Sequence, residues 1–249
     1  AGFFATDLRF SHEYVTPMAA TFFEEKVGKG EPLNDPESII LFRDHLTFLE
    51  QAMTPERKKM GLLNTAQQLK IKQEQFAETY DLTLHGETEH GGSEAICHSK
   101  MLQDYALPGH LIIGSDSHTP HSGAIGCVAF GVGTTAIFNS WITRDVYSLV
   151  PESVRVEVKG KRPDGVTAKD MMLAILRTPY VADGHAIGKM VEYCGEAVKE
   201  LSIDERATMT NMAAEVGAFS GIVVPDEKAA EFMVNERGMP RPRAEALIE

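Results

Sequence analysis

Residues 109–133 constrain the fold and function of this chain more than any other part of its sequence. An apolar run over 111–113 predicts a buried strand, and Pro120 with the surrounding glycines predicts a turn directly after it. The turn brings together a carboxylate, a hydroxyl and two imidazoles, which belong to Asp116, Ser117, His118 and His121. In α/β sheets such groups project from strand ends into a crevice, so the segment favours an α/β fold with a functional site here. The competing interpretation is that Asp116 and Ser117 only cap a following helix and the histidines lie on the surface.

Composition limits the classes of protein to which the chain can belong. Its 249 residues are enough for one large or two ordinary domains. A formal net charge of −12 argues against a surface for nucleic acid or an anionic membrane. No apolar stretch approaches the roughly 18 residues of a transmembrane helix, and no signal peptide is visible. We therefore expect a globular protein that binds neither nucleic acid nor membrane.

The cysteines indicate the compartment in which the protein works. Cys97, Cys127 and Cys194 are odd in number and widely spaced, which argues against a disulfide framework and favours a reducing, cytoplasmic location. Because there is no Cys-x-x-Cys, the chain shows no zinc or iron–sulfur motif of its own. The chain opens on Ala1 and stops without a closing element, so we expect it to be a piece of a longer protein.

Helical and strand patterns alternate along the chain. In the first part, helical spacing predicts helices over 13–27, 37–60, 65–80 and 134–147. After Pro151 the pattern predicts strands over 153–158, 190–194 and 222–225, and helices from 167 to 176 and from 202 onward. This alternation predicts an α/β protein with two domains, residues 1–150 and residues 151–249.

Several carboxylates and imidazoles outside the turn are candidates for acid–base chemistry. His98 begins a predicted helix, and a strand turn could bring it next to Asp116. A buried aspartate beside a histidine fixes its tautomer and raises its basicity, as a general acid or base requires. Asp44-His45 offers a second such pair, and Asn211 and Glu215 lie four residues apart on one predicted helix face. Each of these short patterns also fits a solvated helix surface.

A histidine-containing loop over 85–90 allows a different kind of enzyme. A cluster-free metallohydrolase could use as zinc ligands His85, His90, His98 and His118. A flexible glycine-rich loop is a poor fixed ligand set, so we predict no metal ligand among the residues of this chain.

Several strings of the sequence resemble, in the same order and with similar spacing, those of the aconitase family. They are Tyr105-Ala106-Leu107-Pro108-Gly109, Gly114-Ser115-Asp116-Ser117-His118-Thr119-Pro120, Gly165-Val166-Thr167-Ala168-Lys169-Asp170, Val191-Glu192-Tyr193-Cys194-Gly195-Glu196-Ala197 and Thr210-Asn211-Met212-Ala213-Ala214-Glu215-Val216-Gly217-Ala218. The likeness is greatest to the large subunits of the isopropylmalate and homoaconitate dehydratase branch. It covers the N-terminal portion of such proteins, their first two domains.

The resemblance implies two aconitase-like three-layer α/β/α domains and a hydro-lyase, which moves a hydroxyl and a hydrogen between adjacent carbons of a small carboxylic acid. In that family a [4Fe–4S] cluster binds the substrate. By position, Asp44 and His45 match an acid pair that protonates the departing hydroxyl, and further catalytic roles fall on His98, Asp116, His118 and Glu215. Substrate contacts fall on His12 and Ser117, and a place beside the cluster falls on Asn211.

The chain departs from the family pattern in ways that limit what it can do alone. The family's cluster cysteines, its serine base and its substrate-clamping arginines lie in later motifs, and none of this chain's cysteines sits in such a motif. We expect the cluster-binding and swivelling domains to be fused or to form a separate small subunit, and the isolated chain to be folded but inactive. Residues 46–49 are Leu-Thr-Phe-Leu where the dehydratase branch has Asn-Val-Ser-Thr, so the substrate stays open among citrate, isopropylmalate, homocitrate and dimethylmalate. A non-catalytic scaffold that holds a partner chain is the remaining alternative.

Overall fold

A computed structural model describes all 249 residues of the chain, and strands alternate with helices through most of them. The strands are β1 Gly2–Ala5, β2 Leu8–His12, β3 Ile39–Phe42, β4 Thr83–His85, β5 Leu111–Gly114, β6 Val128–Gly131, β7 Asp145–Ser148, β8 Ser153–Glu157, β9 Met190–Cys194 and β10 Ser220–Ile222. The helices are α1 Thr16–Lys26, α2 Leu49–Ala52, α3 Pro55–Lys59, α4 Leu62–Tyr80, α5 Cys97–Lys100, α6 Thr134–Thr143, α7 Ala168–Leu176, α8 Pro179–Ala182, α9 Glu196–Glu200, α10 Ile203–Asn211, α11 Ala213–Val216, α12 Glu227–Arg237 and α13 Arg241–Ala246. Turns of 3₁₀ helix lie at Pro36–Ser38 and Thr119–Ile125, and a π-helical turn lies at Met101–Tyr105.

Five parallel strands form the larger sheet, in the order β4-β3-β2-β5-β6. Successive side chains of a strand point to opposite faces, and in β3 both faces are buried. Ile39 and Leu41 pack with α1, α4 and α6, whereas Ile40 and Phe42 pack with α5, α10 and α12. Helices therefore cover both faces of the sheet and make three layers, which confirms the predicted α/β class.

Three parallel strands form the smaller sheet, in the order β10-β9-β8. Its core includes Tyr193 of β9, which packs with buried residues of α7 and α10. Both of these helices begin with a capping box, made by Thr167 with Asp170 and by Ser202 with Glu205. The cap side chains satisfy the first free N–H groups of each helix, which is why the helices start where the sequence predicts.

The two sheets meet at the 3₁₀ helix Thr119–Ile125. Gly123 in this helix lies so close to β10 that a Cβ atom on it would collide with the carbonyl oxygen of Gly221. Further on, Arg237 at the end of α12 donates a hydrogen bond at 2.6 Å to the carbonyl of Ala106, which directly follows the π-helical turn. The residues after 150 therefore pack closely against those before it, and the division into 1–150 and 151–249 stays a prediction.

The structure confirms some predicted elements and corrects others. The helix predicted over 65–80 is confirmed as α4. The helix predicted over 37–60 is wrong, because Pro36 starts only a 3₁₀ turn and the apolar run that follows is strand β3. A strand buried on both faces lacks the alternating pattern that separates strand from helix. Only the short helices α2 and α3 remain of that prediction.

Two boundaries also differ from the prediction. The helix predicted over 134–147 ends at Thr143, since Arg144 adopts a left-handed conformation with φ of 60° and β7 follows. Strand β7 pairs with β1 in an antiparallel ribbon. The last predicted strand, 222–225, lies two residues earlier, as β10. None of the helices combines the length and the apolar character needed to span a membrane.

Candidate active site

The carboxyl ends of three neighbouring strands place predicted site residues at one edge of the larger sheet. Strand β2 ends at His12, β3 is followed by Asp44 and His45, and β5 is followed by Asp116. Because β3, β2 and β5 are adjacent and parallel, these residues meet at the same edge. His98, on α5, reaches the group from the helix layer.

Asp116 is the centre of a hydrogen-bond network. Its Oδ2 accepts from Nε2 of His45 at 3.2 Å, and its Oδ1 accepts from Nε2 of His98 at 2.9 Å. The backbone N–H of His118 donates to the same Oδ1 at 2.8 Å. The hydrogen bonds from the two imidazoles hold the pKa of Asp116 well below its usual range, against the effect of burial. Asp116 is therefore a carboxylate that joins a histidine of the sheet edge to one of the helix layer.

His45 lies between two carboxylates. Its Nε2 faces Asp116, and its Nδ1 donates to Oδ1 of Asp44 at 2.8 Å. The hydrogen bonds to Asp116 and Asp44 raise the pKa of His45 to about 10, although burial acts in the opposite direction. At neutral pH His45 is therefore an imidazolium with a carboxylate on each N–H.

Asp44 is itself fixed in place behind His45. The backbone N–H of Cys97 donates to Oδ2 of Asp44 at 2.7 Å. Burial raises the pKa of Asp44, but the hydrogen bonds from His45 and from this N–H outweigh it and lower the pKa below its ordinary value. Asp44 therefore stays ionised and orients the ring of His45.

His12 stacks on His45, with ring centroids 4.0 Å apart and an angle of 23° between the ring planes. Burial and the charge of His45 lower the pKa of His12 to about 4, so a neutral imidazole faces a charged one. The backbone N–H of Tyr14 donates to Nδ1 of His12 at 3.3 Å, which leaves the ring proton on Nε2.

Close packing fixes the turn that carries Asp116. A Cβ atom on Gly131 would collide with the carbonyl oxygen of Asp116, and one on Gly114 would collide with the ring of Phe10. The hydroxyl of Thr119 donates to the same carbonyl of Asp116 at 2.7 Å. The glycines around the turn therefore let β5 and β6 approach the backbone of the site.

Two contacts join this turn to the residues after 200. Nε2 of His118 donates to Oε1 of Glu215 at 3.1 Å, and Nδ2 of Asn211 lies 3.3 Å from Nδ1 of His121. The prediction that one helix carries Asn211 and Glu215 is wrong, because α10 ends at Asn211 and Glu215 lies on the separate short helix α11. Both residues nevertheless face the turn.

Three side chains complete the site. Burial and the neighbouring His98 and His118 lower the pKa of His121 to about 4, so its ring is neutral. Nδ1 of His98 is buried and has no hydrogen-bond partner. The hydroxyl of Ser117 is exposed and lies 3.2 Å from Nδ1 of His118. The structure thus brings together all nine predicted site residues around one turn.

Comparison with known proteins assigns the chain to a family. The family model described as "Aconitase family (aconitate hydratase)" matches residues 2–247. The chain belongs to the aconitase family. It is also 35% identical over 228 residues to 3-isopropylmalate dehydratase large subunit 1 of Pyrococcus furiosus, a match that covers 91% of this chain and 49% of that relative. The resemblance in the sequence strings is confirmed, and this aconitase-family chain spans about half the length of the relative.

The cysteines do not fit the [4Fe–4S] cluster of the aconitase family. Cys97 and Cys127 are buried, and burial raises the pKa of both thiols. The Cys127 thiol donates to the carbonyl of Leu107, and Cys194 lies on β9 in the smaller sheet. Cluster ligands are cysteine thiolates held together at one place, whereas two of these thiols are buried and the third lies in the smaller sheet.

The structure does not assemble the alternative zinc site either. His85, His90, His98 and His118 form no group with ligand spacing, and Nε2 of His85 bonds to the hydroxyl of Tyr105 at 2.7 Å. The group that has such spacing is His12, Glu13 and His45.

The side chains of that group are already engaged in hydrogen bonds. Both ring nitrogens of His45 donate to carboxylates. Glu13 accepts three backbone N–H groups, so the group is a hydrogen-bonded cluster.

No sequence pattern points to Glu13, and the sequence places His121 in the turn without assigning it a specific role. Glu13 directly follows His12, the last residue of β2, and its side chain is fully buried. Its position beside a strand end is the signal that could have found it. Its partners are residues of the neighbouring strand connection, which the sequence does not place beside it.

Proposed function

We propose that this chain forms one wall of the active site of a hydro-lyase that removes water from, and adds it to, adjacent carbons of a small hydroxy di- or tricarboxylic acid. The observation that carries the proposal is the placement of His45 between Asp44 and Asp116, which keeps it as an imidazolium at the edge of the sheet. Family membership supports this reaction class. The relative from Pyrococcus furiosus is named a 3-isopropylmalate dehydratase, and we propose a substrate of that chemical class.

His45 is the acid in this proposal. Dehydration needs an acid because hydroxide is a poor leaving group. The bond from Nε2 to Asp116, 3.2 Å, is longer than the bond from Nδ1 to Asp44, 2.8 Å, so Nε2 is the end that a substrate hydroxyl engages. When the hydroxyl replaces Asp116 there, the imidazolium loses one of its two stabilising bonds. Its pKa then falls toward a value at which it releases the proton to the departing oxygen.

The other side chains orient the substrate and stabilise charge. Asp116 remains bonded to His98 and keeps the turn in place when His45 turns to the substrate. The exposed hydroxyl of Ser117 is placed to donate to a substrate carboxylate. His118, held by Glu215, adds an imidazole beside it. Fixed donors of this kind stabilise the negative charge that develops next to a carboxylate during dehydration.

The remaining parts of the site come from outside these residues. The ion pairs of the network join only histidines and carboxylates, and no lysine or arginine takes part in them. A substrate with two or three carboxylates needs more cations than His45. We propose that the further cations, the base that takes the hydrogen from the adjacent carbon and the thiolates for the family's cluster belong to other domains, fused to this chain or held in a small subunit.

The proposal is tested with variants of His45 in the complete enzyme. The complete enzyme is this chain together with those other domains. We expect water addition or removal on at least one of citrate, isopropylmalate, homocitrate and dimethylmalate. Substitution His45→Gln should lower kcat by about 10²–10⁴-fold, as loss of a general acid does. Asp7→Asn is the matched control, since Asp7 is an exposed carboxylate away from the site. Wild-type turnover in His45→Gln would contradict the proposal and favour a scaffold.

The isolated chain tests the division of the site. After treatment with iron and sulfide, the 249 residues alone should show no turnover of these acids. Robust turnover by the chain alone would show that it contains a whole active site.

A further inference from the structure

Glu13 is a fully buried carboxylate that the acid–base network does not use. Its Oε1 accepts the N–H of His45 at 2.8 Å and the N–H of Leu46, and its Oε2 accepts the N–H of Asp44 at 3.2 Å. No lysine or arginine forms an ion pair with it. Three consecutive peptide N–H groups after β3 thus point to one carboxylate that directly follows β2.

The register of the sheet explains how Glu13 reaches these groups. Strands β2 and β3 are parallel neighbours, and His12 pairs with Phe42. Glu13 therefore leaves β2 at the level where the chain leaves β3 for Asp44 and His45. The peptide groups that Glu13 holds are the same ones that carry the acid pair.

The charge of Glu13 calls for a separate explanation. Burial of a carboxylate is unfavourable unless hydrogen bonds compensate it, and a neutral oxygen would satisfy peptide N–H groups at lower cost. One oxygen of Glu13 and ring nitrogens of His12 and His45 lie within 4.8 Å of one another. A negative charge at this distance favours the charged form of an imidazole. His12 is neutral, so the group that gains is His45.

We infer that Glu13 is a positioning residue: its buried carboxylate holds the backbone that carries Asp44 and His45, and its negative charge adds to the stabilisation of the charged His45 ring. It is fully buried and reaches no solvent, so it acts through His45 rather than on a substrate. The effect on catalysis rests on the proposed function, whereas the effect on His45 itself does not.

Three variants separate the charge of Glu13 from its shape. Glu13→Gln keeps the length but removes the charge, and its amide NH₂ faces an N–H donor. Glu13→Asp keeps the charge on a shorter side chain. Asp7→Asn is the control, because Asp7 also accepts a backbone N–H, that of Leu111 at 2.7 Å, but lies away from the site.

Titration of the His45 ring by NMR in this chain is the first measurement. The groups that face His45 are Asp44, Asp116, His12, Glu13 and Tyr14. The variant Glu13→Gln changes only one of these groups, and loss of its negative charge should lower the pKa of His45 by about 1. Glu13→Asp should keep most of the wild-type value, and Asp7→Asn should keep all of it. An unchanged His45 titration in Glu13→Gln would overturn the inference.

Kinetics of the complete enzyme are the second measurement. Glu13→Gln should lower kcat by about 10²-fold with little change in KM, since a small displacement of a catalytic group has that effect. The alkaline limb of the kcat/KM profile should move to lower pH, because His45 acts in its protonated form. Glu13→Asp should recover part of kcat. A purely structural Glu13 would leave the alkaline limb in place.

The inference stays testable if Glu13→Gln does not fold, and it can be separated from the proposed function. If Glu13→Gln does not fold, the wild-type chain still tests the geometry through hydrogen-bond couplings between the amides of residues 44–46 and the Glu13 carboxyl carbon. Their absence would overturn the inference. If the complete wild-type enzyme shows no hydro-lyase activity while His45 responds to Glu13→Gln, the proposed function fails and the role of Glu13 in charging His45 stands.

Discussion

The turn that carries Asp116 faces two regions that differ in burial. On the side of the larger sheet, the side chains of His98, Asp44 and His45 are 14%, 4% and 29% exposed. On the side of the residues after 200, those of His118 and Glu215 are 35% and 44% exposed. The first region is fixed by the order of strands in one sheet, whereas the second depends on where α11 lies against the turn. The acid pair is thus held by the larger sheet, and the contacts to α11 are the more exposed ones.

The largest expected effect is that of Asp116→Asn, which disrupts the hydrogen-bond network on the side of the larger sheet. The substitution removes the acceptor shared by His45 and His98 and leaves an amide NH₂ facing one of them. We expect kcat of the complete enzyme to fall by about 10³-fold. The free energy of unfolding of the chain should fall by about 1–3 kcal/mol, measured by urea denaturation, because hydrogen bonds to charged groups are lost. Loss of less than 10-fold in kcat would show that the network is only structural.

A smaller effect, on the pH dependence of stability, concerns two buried imidazoles on opposite sides of the turn, those of His12 and His121. Both are neutral in the folded chain with pKa of about 4, whereas an unfolded histidine titrates near 6.5. The unfolded chain binds more protons between these values, so stability should fall as pH falls from 6.5 to 4. His121→Asn should flatten this slope without removing it, since His12 remains. Stability that does not change over this range would contradict both pKa values.

The contribution of His45 to stability depends on pH in the opposite direction. Its pKa is raised, so its contribution to stability is fully present below about 6.5 and is lost as pH rises through about 10. Urea denaturation over pH 8–11 should show this loss in the wild-type chain. The loss should be smaller in Asp116→Asn, which lacks the acceptor on Nε2.

The smallest expected effect is that of Glu215→Gln, which removes the charge from the exposed contact with His118. Exposed ion pairs contribute about 0.2–1 kcal/mol, so the free energy of unfolding should change by less than about 1 kcal/mol. A lost interaction of at most about 1 kcal/mol corresponds to less than about 10-fold in rate, so kcat of the complete enzyme should fall by no more than that. A loss as large as that of Asp116→Asn would show that the two regions do not differ as their burial indicates.

The sequence predicted those parts of the fold and site that depend on local chemistry. Gly, Pro and the polar run at 114–120 predicted the turn, and the capping residues Thr167 and Ser202 marked the starts of α7 and α10. Local spacing predicts a helix where β3 lies, because burial on both faces removes the alternating pattern of a strand. Local spacing also could not show that the chain turns at Met212 and separates Asn211 from Glu215.

Long-range partners explain why the rest of the site was not predictable. The bond between His45 and Asp116 joins residues 71 positions apart, and that between His118 and Glu215 joins residues 97 apart. Glu13 shows the same difficulty most clearly. Its role depends on β2 lying beside β3, and no residue near it in the sequence reveals this.

The pKa of His45 in the wild-type chain tests the central claim most directly. The claim is that Asp116 and Asp44 hold this residue as a charged acid at the edge of the sheet. NMR titration of the labelled imidazole should give a pKa of about 10. A value near the ordinary 6.5 would contradict the account, since His45 would then be neutral at physiological pH.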